Sequence, residues 1–102
     1  LQRAFLPESL EIIGDNAFSY CKSLLKIEIP DNVKTIGDYA FFNCQSLTKI
    51  EIPDSVKTIE YGAFAWCENL QEIIIDNTKE YVQQNWSENW NYSCNAQITY
   101  LR

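Results

Sequence analysis

The sequence predicts an α/β, β-rich solenoid of stacked 23-residue coils, each carrying a short strand. Three observations predict it. The stretches "SLLKIEIPDNVKTI" (Ser23 to Ile36) and "SLTKIEIPDSVKTI" (Ser46 to Ile59) nearly coincide, and between 21–43 and 44–66 the residues at 15 of 23 positions are identical. A fixed period of roughly 20–50 residues marks units that close their core only on a neighbour. Equivalent positions also form apolar or small columns: Leu24, Leu47, Leu70; Ile27, Ile50, Ile73; Ile29, Ile52, Ile75; Leu10, Val33, Val56; Ile13, Ile36, Ile59; and the Ala-Phe pairs at 17–18, 40–41 and 63–64. Finally, each unit alternates where the strand should lie. Ile50 and Ile52 point one way, Lys49 and Glu51 the other, as in a half-buried strand.

Taken in order, Ala4 to Leu6 align with the strand at Ile27 to Ile29, so the first repeat is truncated. With no cap ahead of it, the expectation is a terminal piece of a longer protein, or self-association through the N-terminal end. In each full unit a proline, Pro30 or Pro53, ends the strand, and Asp31-Asn32 or Asp54-Ser55 supplies turn chemistry. "VKTI" is a second short extended piece. Gly14 and Gly37 suit a turn, after which Asp15 and Asp38 are expected to cap a short helical turn holding the Ala-Phe pair. The third copy reads "EYGAF", with Glu60 in the glycine column and Gly62 two places later, so its cap should be built differently. After Asn77 the chain turns polar and aromatic. "KEYVQQNW" suits a short helix and "AQITY" a strand, with Ile98 expected 23 residues after its partner Ile75. Tyr81, Trp86, Trp90 and Tyr92 are expected to cover the end of the core. The chain thus divides into 1–78, about three and a half repeats, and 79–102, a C-terminal cap.

Leu24-x-x-Ile27-x-Ile29-x-x-Asn32 looks like the strand segment of a leucine-rich repeat, and Leu47 to Ser55 and Leu70 to Thr78 are similar with the asparagine replaced. The fuller pattern, C-x-S-L-x-K-I-x-I-P-D-x-V-x-x-I-x-x-x-A-F, resembles the BspA-type leucine-rich repeats of bacterial and protist surface proteins. The match covers roughly residues 4 to 78. The resemblance implies a right-handed leucine-rich-repeat solenoid with a parallel sheet along one curved face. It also implies a cell-surface or secreted location and a role in adhesion.

Composition excludes several classes. Net charge is −6 without a basic patch, which argues against nucleic acid and anionic membranes. No apolar run approaches the ~18 residues of a membrane span, and the first ten residues do not read as a signal peptide. There is no histidine, so the usual general base and the commonest metal ligand are missing. No enzyme and no cofactor are expected.

Cys21, Cys44 and Cys67 form one column, and Cys94 is a fourth thiol. Stacked coils place equivalent Cα atoms ~5 Å apart, within disulfide range, but with parallel rather than converging Cβ vectors. A ladder of buried, reduced thiols is the expectation. A disulfide involving Cys94, a zinc site without any C-x-x-C pair, and a catalytic cysteine without histidine are the alternatives. Glu28 and Glu51 form an outward row beside Lys26 and Lys49. Paired acids suit a glycosidase or a Ca²⁺ site, but solvated cross-strand charge pairs are the expectation. Trp86 and Trp90 are expected to seal the core rather than to stack on sugars. "NWS" at Asn85 and "NYS" at Asn91 match the glycosylation acceptor pattern, a triplet that arises easily by chance.

Two functions of different class remain. One is a non-catalytic interaction or adhesion module that binds a protein or glycan ligand through the strand face. The other is a structural spacer or terminal cap of a larger surface protein. The core consumes the leucine and both isoleucines of each strand segment, leaving Phe5, Lys26, Glu28, Lys49, Glu51, Glu72 and Ile74 as candidate binding residues. Phe5 and Ile74 are apolar on a nominally wet face, which favours contact with a partner.

Overall fold

The computed structural model describes residues 2–102. Its elements, in chain order, are β1 (Arg3–Ala4), β2 (Ile12–Ile13), β3 (Lys26–Ile27), β4 (Thr35–Ile36), β5 (Lys49–Ile52), β6 (Thr58–Ile59), β7 (Glu72–Ile75), α1 (Lys79–Asn85) and β8 (Gln97–Tyr100). They wind as a solenoid of stacked coils. On one side Arg3 pairs with Lys26, Lys49 with Glu72 and Glu72 with Gln97, always in parallel. A second side carries β2, β4 and β6, also parallel, with Ile13, Ile36 and Ile59 in register. Every one of these partners is 23 residues apart except those of β8.

The third side has no strand, yet its backbone is bonded from coil to coil. The N–H groups of Phe18, Phe41 and Phe64 donate to the carbonyls of Ala40, Ala63 and Trp90 at 2.7, 2.7 and 2.8 Å. Here the expected helical turn gives way to turns that place alternate backbone groups on the neighbouring coil. Two columns take left-handed backbone: Asn16, Tyr39 and Gly62 at φ 59°, 56° and 65°, and Tyr20, Asn43 and Trp66 at 60°, 57° and 59°. Left-handed backbone costs an L-residue roughly 1–2 kcal/mol, which the coil-to-coil hydrogen bonds offset. The "EYGAF" departure now has a physical reason, because Gly62 is the glycine of a left-handed column. A Cβ there would also lie 2.7 Å from Cε1 of Tyr39.

The aspartates do not cap their own turns. Asp15 Oδ1 accepts from the N–H of Asp38 at 2.8 Å, and Asp38 Oδ1 accepts from the N–H of Tyr61 at 3.2 Å. Each carboxylate therefore reaches one coil onward. Gly37 permits that approach, since a Cβ at Gly37 would meet the backbone nitrogen of Asp15 at 2.8 Å. Ser46 and Asn69 make similar stitches, donating to the carbonyls of Lys22 and Gln45 at 2.6 and 2.7 Å.

The core is the set of apolar columns seen in the sequence. Leu24, Val33, Ile36, Phe41, Leu47, Ile59, Phe64 and Ile73 are fully buried. Phe18, Phe41 and Phe64 stack nearly parallel, with centroids 5.3 and 5.0 Å apart, close to the offset-stacked geometry that aromatic rings favour.

The last coil departs in register. Ile73 pairs with Ile98 and Ile75 with Tyr100, a separation of 25 rather than 23 residues. Helix α1 lengthens this coil, so Phe64 N–H bonds Trp90 where Phe41 N–H bonds Ala63. The stretch from Cys94 to Ile98 is then two residues shorter than that from Cys67 to Ile73. The net slip of two preserves which side chains face inward. Thr78 Oγ1 accepts from the N–H of Tyr81 at 3.0 Å and starts α1. Val82, Trp86 and Trp90 are buried, and Trp90 meets Phe64 edge-on at 6.1 Å. Tyr81 Oη and Trp86 Nε1 both donate to the carbonyl of Lys57, at 3.1 and 3.2 Å.

Candidate functional site

The alternation of the strands sends Lys26, Glu28, Lys49 and Glu51 outward, and all four are exposed. Phe5 is 86% exposed, the most of any large apolar side chain among the described residues. Glu72 and Ile74 are half-buried, because β8 lies alongside: Glu72 pairs with Gln97 and Ile74 with Thr99, and Thr99 Oγ1 donates to Glu72 Oε2 at 3.2 Å. The seven candidate residues thus share one face. Five are free to touch a partner fully and two only in part.

This face is interrupted. Strands β1 and β3 form one sheet and β5, β7 and β8 another, and no ladder joins β3 to β5. The two units concerned are the nearly identical ones, so the break does not come from mismatched apolar packing. Their likeness puts Lys26 beside Lys49 and Glu28 beside Glu51, two like-charge rows that work against pairing, although a single like pair, Arg3 opposite Lys26, does not prevent the β1–β3 ladder. Where Lys49 instead meets Glu72, the ladder forms. The break leaves a cleft of about 650 Å³, lined by these four charged residues together with Leu25, Ile74 and Leu101. A smaller cleft of about 320 Å³ lies between Phe5, Arg3 and Lys26.

The cross-strand charge pairs expected in these rows do not form. Among the described residues the ion pairs belong to Arg102, which meets Asp76 at 2.9 Å and Asp54 at 3.3 Å. Like sits beside like across the break, so the lysine and glutamate rows have no opposite charge one strand away at β3–β5.

Two cleft residues escaped the sequence reading. Leu25 interrupts an otherwise polar row of Gln2, Thr48 and Gln71, a signal present in the sequence. Leu101 reaches the cleft only because the last coil is two residues out of register. Another unrecognised feature lies on the third side, where Tyr20, Phe42, Tyr39, Tyr61 and Tyr92 make ring contacts at 5.3 to 5.6 Å along the stack.

The four thiols are free. Cys44 and Cys67 are buried and donate Sγ–H to the carbonyls of Phe18 and Phe41 at 3.2 and 3.1 Å. Burial pushes both thiols up to about 12 and also raises Cys94, the opposite of what an attacking thiolate needs. Among the described residues no cluster of three or more histidine, cysteine, aspartate or glutamate side chains is arranged to hold a metal ion. No helix among them is long and apolar enough to cross a membrane.

Stacked coils, one parallel strand per repeat and conserved leucine-isoleucine spacing within the chain define a leucine-rich-repeat solenoid. The family model described as "BspA type Leucine rich repeat region" matches in six copies across residues 1–99, and the chain belongs to that family. The matched region continues beyond residue 78 into β8. Neither the curated proteins nor the solved structures contain a significant match. The family's repeats are generally non-catalytic and suggest a protein-interaction or surface-protein module, typically of surface or secreted proteins.

Proposed function

We infer that the chain is a non-catalytic adhesion or interaction module of a cell-surface or secreted protein, and that it binds a protein or glycan partner through the strand face. The repeats of 1–78 supply most of that face and β8 adds its last strand, while the rest of the 79–102 cap closes the end of the core. One observation carries the reading: Lys26, Glu28, Lys49 and Glu51 are exposed on and beside short parallel strands around a cleft of about 650 Å³, with Phe5 exposed at the neighbouring cleft of about 320 Å³. Side chains on such a scaffold lose little backbone entropy on binding, and changing them leaves the buried columns intact.

The test compares the wild type with Lys49→Ser/Glu51→Ser in capture from the native surroundings and on a glycan array. A partner held by the wild type and lost by the folded double variant supports the reading. Suppose instead that binding survives this change and also Phe5→Ser and Ile74→Ser, but is lost when the turns at Asp31 and Asp54 are altered. The turn edge, not the strand face, is then the surface. A role as a spacer within a larger protein gains if no partner responds to any of these changes.

A further inference from the structure

The charged rows of the strand face have a symmetry of their own. Lys26 and Lys49 lie in one row and Glu28 and Glu51 in the next, two residues along each strand, or about 6.6 Å at a strand's rise per residue. All four are exposed, none is ion-paired among the described residues, and like charges adjoin at the break between β3 and β5. Phe5, Leu25 and Leu101 stand exposed on the same side. What this surface lacks is an opposing surface with the rows exchanged.

A second copy of the chain supplies one. Turn it by 180° about an axis that lies in the contact plane, runs along the stacking direction and passes between the two rows. Its glutamate row then lies over the lysine row of the first copy, and its lysine row over the glutamate row. Lys26 meets Glu28 of the second copy, Lys49 meets Glu51 of the second copy, and both contacts recur by symmetry, as a two-fold interface requires. A two-fold axis along the strands would instead set lysine on lysine, so the charges select one orientation. At the margin Arg3 lies over Phe5 of the second copy, a cation on an exposed ring. We propose that two copies of this chain pair strand face to strand face, with solenoid axes parallel and strands antiparallel across the contact. The proposal rests on the strand face being the binding surface and names its partner.

The pairing is weak. Five strands spaced about 4.8 Å apart make a face well short of the roughly 800 Å² per partner of a standard interface. The net charge of −6 on each chain opposes approach. At physiological ionic strength charges more than about 8 Å apart are largely screened, while contacting pairs are screened less. The rows therefore fix orientation, and the apolar side chains beside them add affinity.

Sedimentation equilibrium on the chain decides the matter, at physiological salt and up to protein concentrations on the order of 1 mM. The wild type should show a mass rising towards the dimer. Lys26→Glu/Lys49→Glu and Glu28→Lys/Glu51→Lys should each remain folded by circular dichroism and lose at least about tenfold in self-affinity, which is 1.4 kcal/mol. Mixed in equal amounts, the two variants should associate again as a heterodimer. A wild type that stays monomeric overturns the proposal. So does dimerisation that survives either reversal, or a mixture that stays monomeric although the wild type dimerises. The strand-face reading is tested apart from this. A monomeric wild type whose partner is lost by Lys49→Ser/Glu51→Ser leaves that reading standing while self-pairing falls.

Discussion

Replacing Phe41 tests whether the stacked rings carry the core. Phe41 is fully buried between two parallel rings, with centroids 5.3 Å from Phe18 and 5.0 Å from Phe64. The coils above and below cannot collapse into a vacancy, because Phe18 N–H to Ala40 and Phe41 N–H to Ala63 hold their spacing at 2.7 Å. Phe41→Ala should therefore fall at the upper end of the about 3–5 kcal/mol such truncations cost. A domain of this size has a total stability of about 5–15 kcal/mol, so the loss is a large share of it. Phe41→Leu keeps most of the volume and loses the two ring contacts, each worth about 0.5–1.5 kcal/mol, so it should cost about 1–3 kcal/mol. Phe18 is half-buried with a single ring of the stack beside it. Phe18→Ala should cost about half as much as Phe41→Ala.

Urea unfolding followed by far-ultraviolet circular dichroism measures all three, with the slope checked for constancy because a solenoid can unfold in parts. Equal losses at Phe18 and Phe41 would refute the reasoning, since burial and ring contacts would then not set the cost. A Phe41→Leu variant as stable as the wild type would show that the rings contribute volume alone.

Burial raises Cys44 and Cys67 from 9.0 to about 12, so the folded chain holds protons that the unfolded chain gives up. Their contribution is fully present below pH 9 and is lost as pH rises from there toward about 12; Cys44→Ala/Cys67→Ala should flatten the fall in stability between pH 9 and 10, and an unchanged slope would count against it. In the native state a thiol reagent should label Cys44 and Cys67 slowly, with four thiols reacting after unfolding. Asp15→Ala and Asp38→Ala should each cost about 1 kcal/mol by orphaning a backbone N–H of the next coil, whereas Asp15→Asn should keep most of that; equal losses for both Asp15 variants would mean that the reach to Asp38 contributes nothing. Lys26→Glu turns two like-charge neighbours, Arg3 and Lys49, into opposite ones, and should raise stability by about 0.5–1 kcal/mol in the same urea assay; a loss would show that charge is not what parts β3 from β5.

The apolar columns were legible because a 23-residue period fixes which residues stack, and Ile13, Ile36 and Ile59 meet where spacing placed them. The register of β8 was not. Pairing Ile75 with Ile98 and pairing it with Tyr100 both keep the same residues inward, so alternation cannot separate them. Only the length taken up by α1 and the short path from Cys94 decide. The reach of Asp15 to the next coil was hidden for a similar reason, since a capped turn and an inter-coil bond require the same residue in the same place. Gly62, in one column with Asn16 and Tyr39, was a visible clue to the left-handed backbone. Of the site, the rows were legible and the break was not, because near-identity of two repeats reads as the best possible pairing.

That break shows what repetition does to two kinds of side chain. Stacking like on like is favourable for isoleucine, leucine and phenylalanine, whose contact removes apolar surface from water in every coil. The same operation sets lysine on lysine and glutamate on glutamate, where contact costs energy. Inside the solenoid identical repeats therefore cooperate, and on the strand face they oppose one another. The chain keeps both effects on the same strands, since Ile27 and Ile50 are buried while Lys26 and Lys49 between the coils are exposed. The core can hold β3 and β5 in adjacent coils without ladder bonds because the second and third sides remain bonded there, through Ile36 to Ile59 and through Phe41 to Ala63. Opposite charge brought from outside relieves the repulsion that charge of the chain's own creates. The proposed self-pairing draws on that imbalance, since opposite charge on a second copy would offset the like rows left exposed on the strand face.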